Sequence, residues 1–162
     1  MFGFKSKTDR VYEILQPLVA VQTVQKGLPK GFWQHPFVLG YFSFFARYLI
    51  EDMFGSVSPE VAGDVVSSTM QRLSNLNGLA ISEDIIRYSA PGSIHPDFDH
   101  GADMAAVLAF YMLGKATDST LPYVNAAIAS LTVNGRRPDK GMVSSEIFRV
   151  TFQKEVDRLF GV

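Results

Sequence analysis

Apolar side chains recur along this chain at steps of three and four residues, the spacing that lines one face of an α-helix. Val11, Ile14, Leu15, Leu18 and Val21 follow it, and predict a first helix from Thr8 to Lys26. Thr8 or Asp9 suits its cap, Gly27 its end, and Pro17 inside it is expected to cause a kink. After a connector with Pro29 and Gly31, a second helix is predicted from Pro36 to Phe54, with Gly55 as its stop. Ser58, Pro59 and Glu60 make a strong helix start, and Ala62, Val65, Val66, Thr69, Leu73 and Leu76 give that third helix its apolar face up to Asn77-Gly78. A short fourth helix is capped by Ser82 and stopped by Pro91-Gly92. The fifth runs from Asp97 to Lys115 on Met104, Val107, Leu108, Tyr111 and Met112, and the sixth from Ser119 to Thr132 on Leu121, Val124, Ile128 and Leu131. Asn134-Gly135 suits a tight turn in the polar loop up to Gly141. The seventh helix runs from Ser144 to Phe160 on Phe148, Phe152, Val156 and Leu159/Phe160. No two-residue alternation, fixed-period repeat or linker interrupts this pattern. The expectation is all-α, one compact domain over residues 1–162, with about seven helices around a central aromatic-rich one.

The second helix is the unusual one. Phe37, Tyr41, Phe42, Phe44, Phe45, Tyr48 and Phe54 leave it apolar nearly all round, which places it in the middle of a bundle. The aromatic run reads as core; an apolar-ligand pocket or a dimer face is the sharper alternative. One narrow stripe differs: Gly40, Ser43, Arg47 and Glu51 share a face, and its small residues admit the close approach of another backbone. Arg47 on that stripe must be partnered or reach out to solvent, and is read as an anion-binding group or as paired with Glu51 or an acid from another helix.

Composition narrows the class. Hydrophobic residues make up 47% of the 162-residue chain and charged ones 19%, the profile of a globular protein with some apolar surface to spare for a partner. With no cysteine, disulfides, thiolate metal sites and cysteine nucleophiles are excluded. The basic start is followed by Asp9, Glu13 and Gln16 rather than by a signal-peptide core, and the longest apolar run, Phe32 to Ala46, is broken at His35 and Pro36. A membrane span needs roughly 20 residues. These features predict a cytoplasmic protein with no membrane span.

The net charge of −1 is unevenly placed. Residues 1–50 carry six Lys/Arg against two Asp/Glu, residues 51–118 three against ten, and residues 119–162 six against four. An acidic middle argues against a nucleic-acid partner; the uneven charge reads as ordinary solvated faces, and alternatively opposite signs suit a second copy or a basic protein. Arg136, Arg137 and Lys140 form a basic loop that reads as solvated.

One segment has the residue types for chemistry. His95, Asp97, Asp99, His100 and Asp103 gather two of the three histidines and three carboxylates at the start of the fifth helix. Imidazole nitrogen and carboxylate oxygen are ligands for Zn²⁺, Mn²⁺ or Fe²⁺, and a carboxylate beside metal-bound water serves as general base. The same aspartates equally satisfy the free donors of a helix start and match its dipole. His95-x-Asp97-x-Asp99-His100 is similar to the metal motif of metallo-β-lactamase-like hydrolases, with Asp in place of the second His, but that fold requires strands. A calcium loop beginning at Asp97 fails because Leu108 stands where the bidentate acid belongs. Phosphate loops, GxSxG and HExxH are absent from the chain. The reading is a protein-interaction or self-associating module, such as a homodimer, that requires no cofactor. The alternatives are a metal-binding protein or metal-dependent hydrolase using a divalent metal at His95–Asp103, and a binder of a small apolar ligand.

Overall fold

The computed structural model describes residues 3–162, and within them the chain is all-helical. α1 spans Lys7–Gln25, α2 Pro36–Phe54, α3 Pro59–Ser74, α4 Gly78–Tyr88, α5 Pro96–Met112 and α6 Leu121–Leu131. α7 (Lys140–Phe148), a π-helical segment (Arg149–Gln153) and α8 (Lys154–Phe160) follow without a break, so the described chain forms seven helical rods. A single turn of tighter helix, Phe32–Gln34, leads into α2.

Helix ends follow local capping chemistry, and several differ from expectation. Ser6 caps α1 and Asp9 completes a reciprocal capping box, so Asp9 lies inside the helix rather than before it. The helix continues through Pro17 to Gln25. α3 starts as expected on Ser58 and Pro59, but ends early because Asn75 takes the left-handed conformation. Asn77 then caps α4, and Ser82 lies inside that helix, where its hydroxyl donates to the Gly78 carbonyl oxygen at 2.8 Å. His95 caps α5, one turn before Asp99. Asp139 caps α7, so that helix begins four residues before Ser144. Asn134 and Gly135 both have positive φ and form the expected tight turn, closed by an isolated bridge between Val133 and Arg136.

α2 is the centre of the molecule. Phe37, Val38, Leu39, Tyr41, Phe42, Phe45 and Ala46 are fully buried, so the aromatic run is core. Its most extensive partner is α5. The two helices run parallel: Phe37 meets His100 near their starts, Tyr48 meets Phe110 further along, and Asp52 pairs with Lys115 at the far end. The Gly40 stripe explains how they come so close. A Cβ on Gly40 would lie 2.1 Å from the Phe98 carbonyl oxygen, and one on Gly101 would lie 2.3 Å from the Phe37 carbonyl oxygen. Each glycine faces the backbone of the other helix, and no side chain fits between them.

The π-helical segment packs its own aromatic side chain into the core beside α2 and α5. Within it Thr151, Phe152 and Gln153 are buried in succession. Phe152 stacks on Phe148 at 5.1 Å and packs against Tyr41 at 4.7 Å and Phe42 at 5.2 Å. Thr151 donates to the Ile147 carbonyl oxygen at 2.7 Å, so the Tyr41 hydroxyl, 3.1 Å away, is the donor in the Tyr41–Thr151 bond. Burial pushes the Tyr41 hydroxyl far above the ordinary tyrosine range, so it stays a neutral donor.

Candidate functional site: a histidine-capped helix pair and the groove beside it

The parallel packing of α2 and α5 brings their N-termini together, and with them all three histidines. His35 and His95 each precede a proline, Pro36 and Pro96, which forms the first residue of the helix. Each histidine folds its side chain back as a cap. His35 Nδ1 accepts from the Phe37 amide at 3.2 Å, and His95 Nδ1 accepts from the Asp97 amide at 3.2 Å. An accepting Nδ1 carries no proton, so both caps belong to the neutral imidazole. His35 also packs on Phe160, and its pKa is lowered from the ordinary value of 6.5. Burial is the main cause; nearby His95 and Arg158 act in the same direction, and Asp97 opposes them.

The segment that reads as a metal site takes its residues apart. His95 is spent on the cap and packs edge-on against Tyr88. His100 Nε2 lies 3.4 Å from Glu155 of α8, with its ring against Phe37. Asp97 acts on His35 and Arg158, whereas Asp103 acts on Tyr48 and adds to the burial that raises that hydroxyl's pKa. Asp99 and Asp103 are exposed. Among the described residues, no three His, Asp or Glu side chains come close enough together to hold one metal ion. His35, between Trp33 and Pro36, reads from the sequence as a turn residue rather than a ligand; that reading left out its cap on α2. The paired dipeptides His35-Pro36 and His95-Pro96, each opening a helix, were the available signal.

Arg47 also differs from expectation. It forms no ion pair with Glu51, and both side chains are exposed. Its guanidinium lies over the Phe44 ring at 5.3 Å. There it borders a groove between α2, α3 and α4. The groove is walled by Phe44, Val66, Ile85 and Phe98, and by Ile86 at its lip. It continues past a hydrogen bond between the Ser67 and Ser82 hydroxyls at 2.6 Å into an open trough edged by Leu76 and Leu79. Leu79 and Ile86, each 69% exposed, stand seven residues apart along α4. Glu60, Asp64 and Glu83 are exposed on the same two helices. The groove escaped the sequence reading because α3 and α4 each look amphipathic alone, and only their packing leaves the space between them open.

Among the described residues, no helix is long and apolar enough to cross a membrane. No family model, curated protein or solved structure matches this chain.

Proposed function

We propose that this chain is a self-associating interaction module, in which the α3–α4 face of one copy receives the basic turn of the next. The observation that carries this reading is the exposure of Leu79 and Ile86 along α4, beside the groove, with Glu60, Asp64 and Glu83 exposed on α3 and α4. Isolated exposed apolar residues are ordinary, but two large ones flanking a groove are the pattern of an interaction surface. The aromatic helix does not supply this surface, since its rings are spent on the core.

The choice of a second copy as occupant rests on charge and shape. The turn at Val133–Arg137 presents Val133, 64% exposed, beside the exposed Arg136 and Arg137. An apolar knob with two arginines complements a face on which Leu79 and Ile86 are exposed on helices that also expose Glu60, Asp64 and Glu83. The two surfaces differ, so the contact is head-to-tail rather than two-fold. Opposite charges across it speed the encounter and make it sensitive to salt.

Sedimentation velocity over a concentration series tests this directly. The expected result is association that grows with concentration and weakens between low and high salt. The double variant Leu76→Glu/Leu79→Glu is expected to stay monomeric with an unchanged helical spectrum. A wild-type chain that remains a monomer throughout would rule the reading out.

A further inference from the structure

The recess at the Arg47 end of the groove has a chemistry of its own, separate from the Leu76–Leu79 trough. Its volume is about 510 Å³, within the range of small-molecule sites. Phe44, Val66, Ile85 and Phe98 give it an apolar wall. Arg47 lines the same recess and lies within ion-pair distance of no carboxylate among the described residues, whereas Arg72, Arg87, Arg149 and Arg158 each hold one. Its guanidinium lies over the ring of Phe44, a wall residue of the recess. Ser43, only 2% exposed, also lines the recess, and its hydroxyl has a single long bond of 3.5 Å to the Gly40 carbonyl oxygen. A ligand oxygen would give that hydroxyl a better partner.

From this arrangement we infer that the recess binds an amphipathic monocarboxylate, with its apolar tail against the Phe44–Phe98 wall and its head group on Arg47. Arg binds a carboxylate through two parallel N–H donors, and such charge-assisted bonds are about twice as strong as neutral ones. Asp64, on the α3 side of the recess, limits the charge of the head group. It repels a second negative charge, which selects a carboxylate over a dianionic phosphate.

Titration calorimetry with decanoate below its micelle-forming concentration, alongside decanol and decylamine, tests the assignment. Decanoate is expected to bind about tenfold more tightly than decanol, and decylamine more weakly than either. Arg47→Gln is expected to bring decanoate down to the affinity of decanol and to leave decanol unchanged. Gly63→Leu is expected to weaken both, because a Cβ at Gly63 meets open space at the edge of the recess and the longer side chain fills it. Leu76→Glu/Leu79→Glu is expected to retain decanoate binding, which separates this site from the self-association surface. Equal affinity for decanoate and decanol, tighter binding of decylamine, an unaltered Arg47→Gln, or no saturable binding at all would each overturn the inference.

Discussion

Thr69 is fully buried in α3, and its Oγ1 has no hydrogen-bond partner. A buried hydroxyl without a partner has lost its water and gained nothing in return. Thr69→Val keeps the shape and removes the polar atom, so urea denaturation is expected to show a gain of up to about 1 kcal/mol. A loss of similar size would mean that the hydroxyl is satisfied in solution. The histidine caps give a second prediction at this scale. His35 has its folded pKa below 6.5, so the folded state resists protonation more than the unfolded chain does. Stability from this group is complete above about pH 6.5 and is lost as pH falls through the window beneath it. Protonation also removes the Nδ1 lone pair from the cap and sets a positive charge at the positive end of α2. Asparagine caps as well and does not titrate, so His35→Asn is expected to flatten the fall in melting temperature between pH 7 and pH 5. An unchanged pH slope would show that His35 is not the group responsible. This role was not legible in the sequence, because a cap and a metal ligand draw on the same residue types. Only the direction of the ring, set by the following proline and the neighbouring helix, separates them.

The pairing of α2 with α5 is what fixes the architecture at the level of elements. Parallel neighbours cannot be joined by a short turn, and here α3 and α4 span the distance between them. The approach at Gly40 and Gly101 leaves no space for a methyl group against a backbone carbonyl, which cannot rotate away. Gly40→Ala or Gly101→Ala is therefore expected to destabilise the fold by about 3 kcal/mol, the upper end for overpacking. The same change at Gly63 supplies the contrast, since its Cβ meets nothing within 4 Å and its helix gains up to about 1 kcal/mol in propensity. Equal effects at the two kinds of site, read by thermal or urea unfolding, would contradict the packing. The small-residue stripe Gly40–Ser43 was legible as a place of close approach because side-chain spacing alone defines a helix face. Which helix approached was not, since Gly101 sits among the polar residues His100 and Asp103 and looked like part of a polar cap. Helix starts were legible where cap and proline stood together, as at Ser58-Pro59. They were missed where a second good cap lay a turn further on: Ser82 concealed Asn77, and Ser144 concealed Asp139.

For the whole molecule, the charge pattern of the sequence acquires a spatial meaning. The acidic middle of the chain supplies α3 and α4, and so exposes Glu60, Asp64 and Glu83 on the two helices that flank the groove. The basic C-terminal part supplies the Val133–Arg137 turn, far along the chain from that face. The segregation was visible in the order of residues; its consequence depends on a groove that only packing creates. A head-to-tail contact needs one surface from each partner, and this gives the most direct measurement. Leu76→Glu/Leu79→Glu disables the trough and leaves the turn intact, whereas Arg136→Glu/Arg137→Glu disables the turn and leaves the trough intact. Each variant alone is expected to sediment as a monomer, and an equimolar mixture is expected to form a 1:1 heterodimer with one good contact. A mixture that remains monomeric while the wild type associates would contradict the head-to-tail contact, and a wild type that never associates would contradict self-association itself.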